Sequence, residues 1–144
     1  MRYYAIIDTN VIVSGALPSR PDSPPKRILE SIVSGTIIPI YSEYLLNEYR
    51  GVLQRDKFHL NRNDVHILVG FLESIGISVK PVNEDYDLPD SEDSPIYAVI
   101  MSSLEYDPYL VTGNIRHFPK SDRIITPKEM MDIIDADNPN DVGT

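Results

Sequence analysis

The chain opens with an apolar run that ends in a carboxylate. Residues Tyr3 to Ile7 are all apolar or aromatic, and Asp8 follows them directly. A run of this length without polar alternation is typical of a strand buried on both faces of a parallel sheet. Asp8 would then leave the sheet at the carboxyl end of its first strand, where open α/β sheets bind ligands. Taken alone, Asp8 could equally be the N-cap of a helix that follows, so the choice between these two roles depends on the other segments of the chain.

Strand-like and helix-like segments alternate along the rest of the chain. This order predicts βαβ units, and therefore an α/β fold with helices on both faces of a mainly parallel sheet. We expect one domain over residues 1–135 and a polar, disordered tail over 136–144. Strands are predicted near 3–7, 36–41, 78–82, 109–112 and 123–126, and helices near 25–33, 42–54, 62–75, 95–105 and 127–134.

Composition narrows the classes of function. The formal net charge of −9 argues against broad electrostatic binding of nucleic acid, which needs a basic face. It does not exclude an acidic site that holds a divalent metal and contacts phosphate through that metal. The absence of cysteine excludes disulfides, thiolate catalysis and thiolate zinc sites. No apolar run is long enough to cross a bilayer and no leader precedes the first strand, so we expect a cytoplasmic protein without membrane contact.

Further acids stand at positions suited to a site. On the second predicted helix, Glu48 falls at the edge of an apolar stripe, whereas Glu43 falls opposite it. A carboxylate at the rim of a buried face is partly desolvated and usually has a partner. The alternative is a surface acid whose stem lies along apolar atoms. Asp93 precedes Pro95 and could cap a helix there, with Asp90 nearby as a supporting acid.

A polar segment ends a later strand. The apolar strand near 109–112 runs into Thr112, Gly113 and Asn114. Gly-Asn is common in plain turns, but Asn114 would also lie at the carboxyl edge of the sheet.

Oxygen-bearing side chains from separate segments could thus converge at one edge of the sheet. Carboxylates gathered there repel one another unless a cation lies between them. Hard oxygen ligands select Mg²⁺ or Mn²⁺ rather than zinc. Such a metal would bind a phosphodiester oxygen, orient and acidify a water, and stabilise the leaving oxyanion, so that no nucleophilic side chain is required.

This ordered set resembles the PIN-domain family of metal-dependent ribonucleases. The family pattern opens with an apolar strand ending in Asp, often followed by Thr or Ser and then Asn, as in Asp8-Thr9-Asn10. A Glu on a later helix matches Glu48, and an Asp that starts a further helix matches Asp93.

The pattern closes with a strand that reaches Thr-x-Asn and a Phe soon after, matched by Thr112, Asn114 and Phe118. Members often carry another Asp just after that Asn, whereas residues 115–117 here are Ile-Arg-His. This departure weighs against a full second metal site. The order and approximate spacing hold over residues 3–134.

The resemblance implies a three-layer α/β/α fold that cleaves single-stranded RNA with one or two Mg²⁺ or Mn²⁺ ions. Asp8, Glu48 and Asp93 would bind the metal, and Asn114 would complete the catalytic set. Because the family includes toxins of bacterial toxin–antitoxin pairs, an antitoxin partner and a homodimer are also expected. Residues expected to support the site or touch the substrate are Asn10, Asp90, Thr112, Arg116 and His117.

Two other families also place an acid at the end of the first strand. A haloacid-dehalogenase-like phosphatase would use Asp8 as a covalent nucleophile, but its acid/base Asp is Asn10 here, and an amide cannot shuttle that proton. A phosphoacceptor receiver domain would use Asp8, Thr112 and Lys128, but the paired acids expected at its first strand are missing. A PIN-like fold that binds a partner without cleaving it is the third alternative.

Overall fold

The computed structural model describes residues 1–81 and 94–137. In this part of the chain, five parallel strands form one sheet in the order β3-β2-β1-β4-β5. Helices cover both faces, which confirms the predicted three-layer α/β/α fold. The strands are β1 (Tyr3–Ile7), β2 (Ile37–Tyr41), β3 (Ile77–Ser78), β4 (Tyr109–Val111) and β5 (Ile124–Ile125).

Six α-helices connect or flank these strands within the described residues. The third and fourth have side-chain caps that explain where they begin. The Oγ of Ser42 accepts a hydrogen bond from the N–H of Leu45 at 3.1 Å, and the Oδ1 of Asn61 accepts one from Asn63 at 2.7 Å. The helices are α1 (Thr9–Ala16), α2 (Pro24–Val33), α3 (Glu43–Leu53), α4 (Arg62–Ile75), α5 (Ser94–Met101) and α6 (Pro127–Asp137).

Strand β1 lies at the centre of the sheet, which explains its unbroken apolar character. Ala5, Ile6 and Ile7 are almost fully buried because β2 and β4 pair with its edges and helices cover its faces. The core is therefore continuous with the segment that ends in Asp8.

The connections place a topological switch point between β1 and β4. From β1 the chain builds β2 and β3 on one side of the sheet, then β4 and β5 on the other. Ile7 lies opposite Val111 in the β1–β4 register, so the next residues, Asp8 and Thr112, leave the sheet side by side. Crevices at such points are where open α/β sheets bind ligands.

Helix α1 is the helix after Asp8 that the sequence prediction allowed for but gave no bounds. Its β-branched residues Val11, Ile12 and Val13 have low intrinsic helix propensity, but all three are buried, and this packing overrides the propensity. A Cβ on Gly15 would lie 2.8 Å from the carbonyl oxygen of Pro25, so glycine permits the close approach of α1 and α2.

Other predicted boundaries shift by a few residues. Helix α5 ends at Met101 and a separate 3-10 helix, Leu104–Tyr106, follows it, instead of one helix over 95–105. Strand β3 spans Ile77–Ser78 and overlaps the predicted range of 78–82 only at Ser78; the last residue of that range lies outside the described residues. Helix α6 continues to Asp137, two residues past the predicted domain boundary. The rest of the predicted tail lies outside the described residues.

Candidate active site

Asp8 is held between the ends of the two central strands. Its backbone N–H donates to the carbonyl of Val111 at 2.9 Å, and the Oγ1 of Thr112 donates to its Oδ2 at 2.7 Å. The residue occupies the N-cap position of α1, yet its side chain makes no capping hydrogen bond of the usual kind. Only 8% of the residue is exposed. The carboxylate therefore points into the strand-end crevice instead of serving the helix.

Burial of the Asp8 carboxylate raises its pKa above the ordinary value of 3.8. Three influences act in the opposite direction: the hydrogen bond from Thr112, the backbone N–H of Thr9 and the positive charge of His117. Since burial is the largest of these effects, the charged form of Asp8 is electrostatically costly in this protein.

The hydroxyl of Thr112 connects two parts of the site. Thr112 is fully buried, and its backbone N–H donates to the carbonyl of Ile125 at 2.9 Å. While the hydroxyl donates to Asp8, it also accepts a hydrogen bond from the N–H of Asn114 at 3.0 Å. One side chain thus fixes both the carboxylate and the turn that follows β4.

The side chains at the rim come from the first turn of α1 and from the segment that follows β4. Asn10 is exposed and lies against the turn after β4, since a Cβ on Gly113 would be 3.7 Å from its Nδ2. Asn114 is exposed and precedes a short 3-10 helix, Ile115–His117. Within this helix Arg116 is exposed and His117 is half-buried. Amides and basic groups therefore surround the mouth of the crevice.

Helix α3 carries a second acid, Glu48, next to Tyr49, whose hydroxyl is bound at the end of β1 just before Asp8. The hydroxyl of Tyr49 is buried and donates to the carbonyl oxygen of Ile7. Its pKa is raised well above the usual range, first by burial and then by the charges of Asp8 and Glu48. Both carboxylates therefore act on the same hydroxyl. Glu48 is half-buried and Glu43 is exposed, as expected for the edge and the far side of the apolar stripe.

Two polar groups at the site escaped the sequence prediction. The hydroxyl of Tyr49 was not among the predicted site groups, although a buried tyrosine hydroxyl needs a partner and this requirement could have drawn attention to it. The Oγ1 of Thr9 is buried and has no hydrogen-bond partner in the described part of the chain, and the residue is 6% exposed. Buried polar atoms without a partner are rare and often mark functional sites.

The three-acid metal site remains a prediction. Asp93 and its neighbour Asp90 lie outside the described residues. Within residues 1–81 and 94–137, no group of three His, Asp or Glu side chains is arranged to hold a metal ion. The described acids Asp8 and Glu48 supply the hard carboxylate oxygens that suit Mg²⁺ or Mn²⁺. The orphaned hydroxyl of Thr9 is one more buried oxygen, on the residue that follows Asp8.

The fold and the strand-end carboxylate together define an α/β domain with a candidate ligand site at the switch point of its sheet. A family model described as the PIN domain matches residues 4–116, which is most of the chain. The chain therefore belongs to the PIN-domain family, whose members are generally nucleases. This assignment confirms the resemblance and excludes the phosphatase and receiver families as alternatives.

No curated protein matches the chain. None of the helices in the described residues combines the length and the apolar character that crossing a membrane would require.

Proposed function

We propose that this protein is a metal-dependent endoribonuclease that cleaves single-stranded RNA. The proposal rests on membership of a family of nucleases and on one observation. The carboxylate of Asp8 is buried at the switch point of the sheet, and Glu48 acts on the same tyrosine hydroxyl. Burial makes the charged form of Asp8 costly, and a divalent cation bound at this carboxylate would offset that cost.

Asp8, Glu48 and Asp93 would hold Mg²⁺ or Mn²⁺ at this crevice. A bound cation of this kind lowers the pKa of a water molecule and stabilises the negative charge that develops on the leaving oxygen. The hydroxyl of Thr112 keeps the Asp8 carboxylate in one orientation. The amides of Asn10 and Asn114 lie at the exposed rim, where they can donate hydrogen bonds to an RNA phosphate.

Degradation of labelled RNA tests the proposal. We expect the protein to cleave a single-stranded oligoribonucleotide internally in the presence of Mn²⁺ or Mg²⁺, to leave the same sequence intact in a duplex, and to lose activity in EDTA. A folded chain that binds the oligonucleotide yet leaves it uncut at every Mn²⁺ concentration would contradict the proposal. That result would favour a PIN fold that binds without cleaving.

A matched pair of substitutions on one helix tests the role of the second acid. Glu48→Gln removes a half-buried carboxylate beside Tyr49, whereas Glu43→Gln makes the same change on the exposed face of α3. We expect Glu48→Gln to lower kcat/KM about 100-fold, which corresponds to about 2.7 kcal/mol. Glu43→Gln should stay within about twofold of the wild type. Equal effects of the two changes would remove Glu48 from the site.

A role as the toxin of a toxin–antitoxin pair is a separate hypothesis that rests on the family resemblance. It predicts that cytoplasmic expression arrests growth and that co-expression of a neighbouring gene product restores it. Harmless expression of an active nuclease would contradict this role. The expected homodimer is tested by light scattering of the purified protein at several concentrations.

A further inference from the structure

A groove lies beside the candidate active site. It has a volume of about 380 Å³ and runs along the loop that follows β4. The side chain of Phe118 is 5% exposed and stacks on Tyr97 of α5, with 6.5 Å between the ring centroids. This contact anchors the floor of the groove to the body of the protein. The lining residues that bear on recognition are Ile115, Arg116, Pro119, Lys120 and Glu129.

The groove begins where the candidate active site ends. Asn114, whose N–H is bound by Thr112, directly precedes the 3-10 helix that carries Arg116. Arg116 lies four positions after Thr112, so their Cα atoms are at most about 14 Å apart. A strand whose scissile phosphate lies at Asp8 can therefore extend into the groove.

The groove presents positive charge in a protein whose net charge is −9. Arg116 and Lys120 are exposed, and neither forms an ion pair or a side-chain hydrogen bond with another described residue. The one acid that lines the groove, Glu129, accepts a hydrogen bond from the N–H of Thr126 at 3.0 Å, so it serves the start of α6.

Several other basic side chains are already occupied. Arg27 pairs with Asp135, Arg123 pairs with Asp107, and the Nζ of Lys26 donates to two backbone carbonyls at the end of α1. The cations of the groove are thus left available for an external anion.

An apolar ledge lies next to these cations. Ile115 is 41% exposed although it is a large aliphatic residue, and Pro119 is exposed beside the same groove. Sites for single-stranded nucleic acid combine cations that follow the backbone with side chains against which bases pack; these are usually aromatic, and here the exposed ledge is aliphatic.

We infer that this groove binds the RNA strand next to the point of cleavage. Arg116 and Lys120 each hold one flanking phosphate, and the ledge of Ile115 and Pro119 packs against a neighbouring base. The inference rests on the proposed function, since it assigns the substrate path of the same site. Charge and apolar contact do not read the edges of bases, so the groove contributes affinity without sequence preference.

Binding in the absence of cleavage tests the inference. The Asp8→Asn chain is titrated with a fluorescent single-stranded oligoribonucleotide in EDTA, and anisotropy is followed at several salt concentrations. The double change R116Q/K120Q is compared with R2Q/R55Q. Arg2 precedes β1, and Arg55 follows α3, which returns from the carboxyl edge of the sheet. Both control residues are exposed, and the control removes the same charge from the opposite edge.

We expect R116Q/K120Q to weaken binding about tenfold and to reduce the salt slope by about 1.4, or about 0.7 for each lost phosphate contact. The control should stay within about twofold. With Asp8 intact and Mn²⁺ present, the groove variant should raise KM about tenfold and change kcat less than about twofold, because it loses binding without losing the reacting centre.

The outcomes separate this inference from the proposed function. If the wild type cleaves RNA but R116Q/K120Q binds as tightly as its control, the groove is not the substrate path and the proposed function stands. If the wild type never cleaves but R116Q/K120Q still weakens binding, the nuclease proposal falls and the groove is supported. If the Asp8→Asn chain binds no RNA even at low salt, the groove inference is overturned.

Discussion

The two edges of the central sheet use their polar residues in opposite ways. At the amino edge, the hydroxyl of Tyr3 donates to Asp137, and the guanidinium of Arg123 pairs with Asp107 and lies 4.4 Å from the ring centroid of Tyr109. At the carboxyl edge, an acid is buried at the cost of a raised pKa. The amino edge therefore stabilises the fold, whereas the carboxyl edge carries an electrostatic cost.

This contrast is informative because both edges belong to the same strands. A protein that only needed stability would gain nothing by burying Asp8, since replacing a buried charge with a neutral group of similar size is often stabilising. Costly polar arrangements persist where they serve function. The contrast predicts that substitutions at the carboxyl edge change activity, and that substitutions at the amino edge change stability.

The largest expected effect is that of Asp8→Asn. Loss of this carboxylate should lower kcat/KM about 1000-fold, or about 4 kcal/mol of transition-state stabilisation. The free energy of unfolding at neutral pH should stay the same or rise, because the buried charge is gone and the hydroxyl of Thr112 can still donate to the amide oxygen. Kinetics and chemical denaturation measure the two effects.

The matched control for this change is Asp107→Asn at the amino edge. Asp107 has a left-handed backbone conformation with φ of 49°, which asparagine adopts readily. The Asp107→Asn variant should therefore keep full activity. Full activity in Asp8→Asn would instead remove Asp8 from the reaction and break the contrast between the edges.

Stability against pH gives an independent measure of the same carboxylate. The pKa of Asp8 is raised in the folded protein, so the folded state holds this proton to a higher pH than the unfolded chain does. As pH rises through that raised pKa, the wild type must lose stability relative to Asp8→Asn. A difference between the two proteins that is constant with pH would contradict the burial of a charged group.

Thr112→Val is expected to have the next largest effect. The hydroxyl that it removes lowers the pKa of Asp8, so that pKa should rise further and the acid limb of the pH–rate profile should move to higher pH. Activity should fall about 10- to 100-fold, as is common when a group that orients a metal ligand is lost. Thr112→Ser keeps the hydroxyl, so the acid limb of the profile and the activity should both stay close to the wild type. An unmoved acid limb in Thr112→Val would refute the link to Asp8.

A pair of tyrosine substitutions compares the two edges directly. Tyr49→Phe removes a fully buried hydroxyl bound to the carbonyl of Ile7 and should cost about 2 kcal/mol. Tyr3→Phe removes a partly buried hydroxyl at the amino edge and should cost about 1 kcal/mol. Urea denaturation measures both values, and activity should fall only in Tyr49→Phe. A larger cost for Tyr3→Phe would reverse the expected order.

Alkaline pH tests the burial of the Tyr49 hydroxyl. The pKa of Tyr49 is raised in the folded protein, so the folded state keeps the proton while the unfolded chain ionises near pH 10. Wild-type stability should therefore decline above about pH 10, and Tyr49→Phe should decline less steeply.

The smallest expected effect is that of Arg123→Gln. The side chain of Arg123 is 38% exposed and that of Asp107 is 74% exposed, so solvent screens their ion pair. Together with loss of the contact to Tyr109, the change should cost less than about 1 kcal/mol. RNA cleavage should be unaffected, and a clear loss of activity would show that the edges are not independent.

Much of the fold could be predicted because local patterns determine it. The apolar run of β1 matched its strand, and α4 matched residues 62–75 because Asn61 caps its start. Helix α1 could not be predicted in this way, since its helical state depends on burial against the rest of the protein and not on its own residues.

Less of the candidate site than of the fold could be predicted from the sequence. Asp8 and Thr112 were both named from their positions at strand ends, but their hydrogen bond depends on β1 and β4 being neighbours, which no local pattern encodes. The hydroxyl of Tyr49 was missed for the same reason, since its partner lies 42 residues away. The metal-binding roles of Asp8, Glu48 and Asp93 stay predictions, as do the supporting roles of Asp90, Arg116 and His117.

The hydrogen bond from Thr112 to Asp8 spans 104 positions of the chain. A polypeptide still emerging from the ribosome therefore holds Asp8 long before it holds the hydroxyl that fixes it, and the crevice forms only when β4 inserts beside β1. Contacts of such high sequence separation are made late, after slow closure of a long loop. A copy that still lacks β4 consequently carries the acid without the site, which keeps any hydrolytic capacity dormant until β4 has been made.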